Sequence, residues 1–306
     1  IITKAQALAL DGHFVIEQTV RNKSGFFINF NGTGGVWRKK CIEDAGNWHA
    51  DTLTEDLDLS YRAQLIGWRF VFLKDFTSPA ELPSEINALK AQQFRWTKGA
   101  VETAKKILPL VWKSKVPLRV KLQSTFHLTN NLVFPFILLA AILNVPLIFI
   151  KNSGAHEIYF AIMSLFVLAF VSSFLFYMYS QKDIRTDWRK RIVLFPLFMA
   201  GSMGLAVNNS RAVFEGLMNR KSEFVRTPKF KQESDKDTFI GNKYLNKKLG
   251  LSVFVEAVLA VYCFIGVLSS IYFMELASIP FQVLFTLGFS FIAYTSIKHA
   301  YATKKI

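Results

Sequence analysis

Four long apolar runs constrain this chain more than any other feature of its sequence. Residues 132–150, 158–179 and 279–297 contain no charged residue, and 249–274 contains one, Glu256. In a helix, each run is long enough to cross the hydrocarbon core of a bilayer, which is about 30 Å thick. Buried helices of a soluble protein would carry polar stripes, and these runs have none. The sequence therefore predicts four transmembrane helices, and we expect Glu256 to face the interior of their bundle or a channel.

The chain as a whole is strongly basic. The formal net charge is +15, while 51% of the residues are hydrophobic. Nucleic-acid binders are not usually this apolar, so we expect a membrane and no nucleic acid as partner. Cys41 and Cys263 lie too far apart to indicate a disulfide framework or a metal site. The first residues, IITKAQALAL, include no Met and no signal peptide, so we expect that residue 1 is not the natural start.

A fifth apolar run, 192–207, is shorter and contains Pro196. Basic loops at 180–191 and 208–248 flank it, and the positive-inside rule places both in the cytoplasm. The run should therefore enter the membrane face and return, which leaves the N-terminal part and the C-terminus cytoplasmic. The alternative is a full fifth span, which would place the C-terminus outside.

The segment DTLTEDLDLS, residues 51–60, concentrates negative charge in this basic chain. Thr54 suits a helix N-cap, with Glu55 and Asp56 in the first turn near the positive end of the helix dipole. The helix should continue to Gly67, and 68–73 (WRFVFL) has the composition of a strand. Capping alone explains the acids, but a carboxylate held at a helix start also suits a general base.

Three further segments carry groups that suit ligand binding. In AQQFRWTKG (91–99), helical spacing puts an amide, a guanidinium, an indole and Gly99 on one face, although a helix lying on the membrane is an alternative. In FNGTGGVWR (30–38), the glycines allow positive φ and close backbone approach, or a plain turn. SEFVRTPKF (222–230) is basic and reads equally well as a solvated loop.

Together and in this order, these segments resemble the membrane-integrated family 2 glycosyltransferases: the cellulose synthases, the hyaluronan synthases and especially the cellulose-synthase-like glucomannan 4-β-mannosyltransferases. The pairing of T-E-D with Q-Q-x-R-W is the specific part. The resemblance implies the C-terminal half of an α/β GT-A domain over 1–110, with an interfacial helix. Over 111–306 it implies a transmembrane channel region, with an interfacial helix at 190–218 and a gating-like loop at 220–232.

The resemblance also implies roles for the matching residues. Asp56 becomes the general base that deprotonates the acceptor hydroxyl, supported by Thr54 and Glu55. Asp51 and Asp58 are then expected to be solvated neighbours. Asn31 departs from the Cys of the family's acceptor turn and leaves the polymer type open. The other implied site residues are Gln92, Gln93, Arg95 and Trp96 for donor and acceptor, Phe30, Asn31, Gly32 and Thr33 at the acceptor's end, and Phe224, Thr227 and Lys229 in the gating loop.

The reaction so implied is inverting, processive transfer of hexose from a UDP- or GDP-sugar to a β-linked polysaccharide, coupled to translocation across a plasma (inner) or Golgi membrane. Single-sugar transfer to a lipid, as in ceramide glucosyltransferase-like proteins, is the alternative, and a non-enzymatic scaffold or transporter is a third. The family's D-x-D pair, which holds a divalent metal (Mg or Mn), is missing from this sequence. We therefore expect no metal ligands here, and no activity from residues 1–306 alone.

Overall fold

The computed structural model describes residues 2–154, 156–224 and 250–302, and over them the chain is helical. The helices of the first half are α1 (Ile2–Asp11), α2 (Thr19–Lys23), α3 (Lys39–Asp44), α4 (Glu55–Leu65), α5 (Ile86–Lys113), α6 (Leu118–Thr129) and α7 (Val133–Asn152). Those of the second half are α8 (Glu157–Met163), α9 (Val167–Ile184), α10 (Trp188–Ile192), α11 (Phe195–Gly204), α12 (Ala206–Leu217), α13 (Leu251–Tyr272) and α14 (Ile279–Ala302). A π-helical stretch, Gly12–Gln18, joins α1 to α2, and 3₁₀ turns at Asn130–Leu132 and Ser164–Phe166 precede α7 and α9.

No β-strand occurs in the described ranges, so the α/β part of the predicted fold class is not confirmed. The segment 68–73 has no regular structure. Its backbone pairs with a side chain: the Asn22 amide donates to the Phe70 carbonyl (2.7 Å) and accepts from the Phe72 N–H (3.0 Å). The backbone N–H and C=O groups of a strand need hydrogen-bond partners on a neighbouring strand. Here the side-chain amide of Asn22 supplies those partners instead.

Within the described residues, four stretches are long and apolar enough to span a membrane, as predicted. On α13, Phe254, Val258 and Val261 leave half or more of their surface exposed, while Glu256 is fully buried. An exposed apolar face this long suits contact with lipid, and the expectation that Glu256 faces the bundle interior is confirmed. The four stretches are Leu118–Asn152, Glu157–Ile184, Leu251–Tyr272 and Ile279–Tyr301.

The fifth apolar run forms the end of α10, all of α11 and the start of α12. Trp188–Gly204 and Ala206–Leu217 meet at a bend of 45°. A bend of this size is compatible with a broken span and with a re-entrant segment, so the re-entrant course stays a prediction.

Helix α5 is the central element of the part that precedes the spans. Its N-cap is Glu85, whose carboxylate accepts from the Ala88 N–H at 2.7 Å, one residue beyond the start signal Pro83–Ser84. It packs against α4, α6, α12 and α14. The helix runs unbroken through residue 110, and the domain boundary there stays a prediction.

The apolar helices α11 and α14 pack closely where small residues meet. A Cβ on Gly204 of α11 would lie 2.3 Å from the carbonyl oxygen of Gly288, and one on Gly288 would lie 2.2 Å from that of Ala200. Small residues let the backbones of α11 and α14 touch, which is the usual way for helices to associate in lipid. Gly201 on the same helix faces open space.

We expect Gly204→Ala to lower thermal stability, because its methyl group would force α11 and α14 apart, and overpacking of this kind costs about 1–3 kcal/mol. Gly201→Ala is the matched control, since it changes the same helix in the same way without a clash. Thermal unfolding of the detergent-solubilised protein measures both. Equal unfolding temperatures for the two variants would contradict this packing.

Candidate functional site

The acidic segment forms the start of α4, as predicted, with Thr54 at the N-cap position. The Thr54 hydroxyl does not cap the helix; it pairs with the hydroxyl of Thr103 on α5 at 3.1 Å. Glu55 and Asp56 occupy the first turn and are half-buried. The segment is therefore held by α5 from one side, while the carboxylate of Asp56 stays within reach of solvent.

Three polar side chains on one face of α4 bind the backbone of the extended segment 28–32. They are four residues apart, about 6 Å along a helix, and their partners are two residues apart, about 6.6 Å along an extended chain. The two spacings match, so each polar group meets a backbone N–H. The pairs are Gly32 N–H to Asp56 (2.8 Å), Phe30 N–H to Ser60 (2.8 Å) and Ile28 N–H to Gln64 (3.1 Å).

These three hydrogen bonds bring the turn at 30–33, which is predicted to bind the acceptor, next to Asp56, the predicted base. Gly32 has φ +55°, as its glycine signature predicted, and its N–H points at the Asp56 carboxylate. Gly34 and Gly35 do not have positive φ, so only Gly32 uses the conformational freedom that its glycine provides. Gly35 instead lies under the Phe30 ring, where a Cβ would sit 2.7 Å from a ring carbon. Two further turn residues are half-buried Asn31 and exposed Thr33.

Gly99 brings α5 against the loop that precedes α4. A Cβ there would lie 2.8 Å from the Thr54 nitrogen and 2.9 Å from the Leu53 carbonyl carbon. Three residues further along α5, the Glu102 carboxylate accepts from the Leu53 N–H at 3.0 Å. The face of α5 that was predicted to bind ligand thus contacts the acidic segment through Gly99.

Arg95 lies on the same face, one turn before Gly99. Burial lowers the pKa of Arg95, and the charges of Glu55 and Asp56 act against that shift, which places both carboxylates within electrostatic reach of the guanidinium. The guanidinium also lies 4.7 Å from the centre of the Phe224 ring, a cation–π contact. The structure thus brings together Arg95, the acidic pair and the first predicted gating residue.

The remaining members of the predicted motif take different positions. Trp96 is 39% exposed, and Gln92 is half-buried. Gln93 faces the other way and lines a mostly apolar cavity of about 130 Å³ between α1, α5, α11 and α14. Thr227 and Lys229 lie outside the described residues, and so does most of the gating-like loop.

Two lysines of α5 hold the chain that leads to Phe224. Lys98 is fully buried and contacts the Arg220 carbonyl oxygen, the Ser222 hydroxyl and the Glu215 carboxylate. Lys105 donates to the Leu217 carbonyl oxygen at 2.7 Å, at the C-terminal end of α12. Cations at a helix C-terminus satisfy carbonyl groups that have no helical partner. The path from α12 to Phe224 is therefore fixed by α5.

The rest of the acidic segment turns away from this site. Asp58 is fully buried and pairs with Arg62 at 2.8 Å and Lys106 at 3.0 Å, so the interpretation of Asp58 as a solvated neighbour was wrong. Asp51 remains exposed and also pairs with Lys106 at 2.9 Å. Burial raises the pKa of Asp51, but the hydrogen bond and charge of Lys106 outweigh that effect and lower it overall.

His49, Asp51 and Asp58 have ligand atoms close enough to hold a metal ion. The Lys106 ammonium already lies among them, 3.0 Å from His49 Nδ1 and at similar distances from both carboxylates. A cation in that position replaces the charge that a metal would supply, so these residues do not fit a divalent ion. The expectation of a metal bound elsewhere in the family's domain stays a prediction.

Sequence reasoning missed the residues that hold the site. Ser60 and Gln64 continue the spacing of four from Asp56, and that polar stripe was a usable signal. Lys98 and Lys105 left no such signal, because their partners lie more than 100 residues away along the chain.

Comparison with known proteins identifies the same relatives. The family described as "Glycosyl transferase family group 2" matches residues 2–180. Probable glucomannan 4-beta-mannosyltransferase 10 of Arabidopsis thaliana is 33% identical over 237 residues, 75% of this chain and 40% of that protein. Glucomannan 4-beta-mannosyltransferase 1 of Oryza sativa subsp. japonica is 39% identical over 131 residues, which are 43% of this chain and 25% of that protein. Glucomannan 4-beta-mannosyltransferase 1 of Cyamopsis tetragonoloba is 41% identical over 136 residues, 44% of this chain and 26% of that protein. This chain spans 25–40% of the length of these relatives, and no solved structure matches it.

We expect Gly99→Ala to separate α5 from the start of α4, because the methyl group would lie 2.7 Å from the Thr54 Cγ2 and 2.8–2.9 Å from the backbone of Thr54 and Leu53, which cannot turn aside as a long side chain could. The variant should unfold at a lower temperature, although alanine alone favours a helix interior by about 1 kcal/mol over glycine. Thermal unfolding measures the effect, with Gly201→Ala as the unclashed control. A Gly99→Ala protein as stable as that control would contradict the contact.

Proposed function

Because the chain belongs to glycosyl transferase family group 2, we propose that it takes part in inverting, processive transfer of hexose from a nucleotide sugar to a growing β-linked polysaccharide. The observation that carries the proposal is the meeting of Asp56, the turn at Gly32 and Arg95 at one end of α4. The similarity to glucomannan 4-beta-mannosyltransferases favours mannose as the hexose. UDP- and GDP-sugars both remain candidate donors.

Asp56 is the proposed general base. One carboxylate oxygen accepts from the Gly32 N–H, which fixes its orientation, and the side chain is only half-buried, which leaves room for an acceptor hydroxyl. Asp56 takes the proton of that hydroxyl as its oxygen bonds to the anomeric carbon of the donor. The bond from that carbon to the diphosphate breaks with inversion, and the nucleoside diphosphate leaves with the electron pair.

Arg95 is the proposed partner of the donor diphosphate. A guanidinium binds phosphate oxygens in a bidentate fashion and stabilises the negative charge that grows on the leaving group. Its position near Glu55 and Asp56 puts donor and base chemistry within one site. Gln92 and exposed Trp96 are proposed to contact donor and acceptor sugar, Trp96 as a flat platform. Gln93, which faces the apolar cavity, supports that proposal less well.

We propose that the turn at 30–33 (Phe30, Asn31, Gly32 and Thr33) binds the end of the acceptor, because hydrogen bonds to Asp56 and Ser60 hold it beside the proposed base. Phe224, stacked on Arg95, is proposed to belong to a loop that covers the bound nucleotide, together with Thr227 and Lys229. The four apolar helices support a membrane protein. That they form a secretion channel in a plasma (inner) or Golgi membrane, with the catalytic part and the C-terminus cytoplasmic, is part of the proposal.

Asp56→Asn in the complete protein tests the assigned base. Loss of a general base typically costs about 100- to 10,000-fold in rate, so we expect hexose transfer from labelled nucleotide sugar to fall by that order. Asp51→Asn is the matched control, because Asp51 is an exposed acid of the same segment that pairs with Lys106. Unchanged hexose transfer by Asp56→Asn would contradict the assignment. If the protein were a membrane scaffold, neither variant would change the measured transfer.

Product size separates the two enzymatic proposals. The complete protein, incubated with a panel of labelled UDP- and GDP-sugars, should produce a β-linked polymer from its preferred donor. Processive synthesis is expected because the gating-loop resemblance that begins at Phe224 and the four apolar helices favour a polymer over a lipid that carries one sugar. A lipid carrying a single sugar as the only product would favour the ceramide glucosyltransferase-like alternative.

A further inference from the structure

A buried ion pair joins the proposed catalytic helix to a membrane span. Glu256, the one charged residue of α13, is fully buried in a stretch of mean hydropathy 2.4. Its two carboxylate oxygens lie 2.7 and 2.9 Å from the ammonium of Lys90 on α5, which is 6% exposed. A charge placed inside a span is costly and is retained only with a partner.

Stability alone does not account for this pair. Replacing both members of a buried ion pair with apolar residues of similar volume is often neutral or stabilising, whereas removing one member leaves an unpaired charge and is strongly destabilising. A buried ion pair is better suited to selecting one arrangement of two elements over its neighbours. Here the two elements are α5 and α13, which the Lys90–Glu256 pair links directly, while α5 otherwise packs on the bundle through α12 and α14.

Because Lys90 and Arg95 lie on the same helix, an ion pair that fixes Lys90 also affects the position of Arg95. Arg95 follows Lys90 by five residues, about 7.5 Å along the helix, and Gly99 follows by nine, about 13.5 Å. Lys90 is held to the bundle and Gly99 to the loop before α4, so Arg95 lies between two fixed points on one continuous helix. The Asn208 amide of α12 adds a third contact by donating to the Lys90 carbonyl oxygen at 3.0 Å.

We infer that Lys90 and Glu256 are positioning residues: their ion pair sets the register of α5 on the membrane bundle and thereby the placement of Arg95 beside Asp56. The inference rests on the proposed function for its effect on sugar transfer. Its effect on the register of α5 is independent of that function and can be measured without substrate.

The decisive variant is K90M/E256L in the complete protein, with K90M alone and the conservative K90R beside it. K90M should lower thermal stability, because it leaves a carboxylate unpaired inside the bundle. The apolar pair K90M/E256L should regain that stability yet transfer hexose about 100-fold more slowly, since displacement of a catalytic group by about 1 Å can cost that much. K90R keeps the charge and should restore most of the turnover, which a purely apolar packing role would not predict.

A nitroxide attached at Ala91→Cys reports the register directly. Ala91 is exposed and adjoins Lys90, and the native cysteines, Cys41 and Cys263 among them, are replaced by alanine. Wild-type and K90R proteins should give one spectral component with one depth in the bilayer. K90M/E256L should give a second component or a different depth, because α5 can then occupy more than one register.

A second ion pair provides the matched control. Lys151 at the end of α7 contacts Glu275 beyond α13, and both lie away from α5. K151M/E275L also removes a Lys–Glu pair, here between the end of α7 and the segment that joins α13 to α14, and it should leave turnover and the nitroxide spectrum unchanged.

Wild-type turnover together with a wild-type nitroxide spectrum in K90M/E256L would overturn the inference, since the pair would then be replaceable by packing. If the wild-type protein transferred no hexose from any donor, the proposed function would fail. The nitroxide would still decide the role of the pair in that case: a changed register in K90M/E256L supports it, and an unchanged one refutes it.

Discussion

The close approach of α5 to the backbone of Leu53 and Thr54 is the contact on which the rest of the site depends. It exists only because residue 99 has no side chain, and it sets the distance between the helix that carries Arg95 and the helix that begins at Glu55. The other site contacts presuppose this geometry. The hydroxyl pair between Thr54 and Thr103 forms across the same gap, and the charges of α4 reach Arg95 across it.

Helix α5 contacts the acidic segment, the end of α12 and a membrane span at once. One face contacts the acidic segment, a second holds the end of α12 through Lys98 and Lys105, and its N-terminal part pairs with a membrane span through Lys90. Because a helix of 28 residues is stiff, these contacts are not independent. A shift of α5 against the membrane would be transmitted to the site, which connects the membrane-embedded part of the chain mechanically to the proposed chemistry.

Two aspartates two residues apart show how burial separates chemical roles. Asp58 is enclosed by Arg62 and Lys106 and has no path to a ligand. Asp56 lies on the opposite side of the first turn, oriented by the backbone N–H groups of Gly32 and Leu57 and left partly open. Neutralising one acid with fixed cations and leaving the other accessible is a way to keep a single reactive carboxylate in a crowded acidic segment.

Apolar length and charge, read from the sequence alone, determined the four membrane helices, because hydrocarbon admits few ways to satisfy a backbone. Local signals determined the start of α4 at Thr54 and the helix that carries Gln92, Arg95 and Trp96. Only the tertiary structure decided which acid faces the site, that 68–73 pairs with Asn22 instead of a strand, and that Glu256 meets Lys90. The physical reason is separation along the chain: caps and helical faces follow from neighbours within a few residues, whereas charge pairs and strand pairing depend on groups brought together by folding.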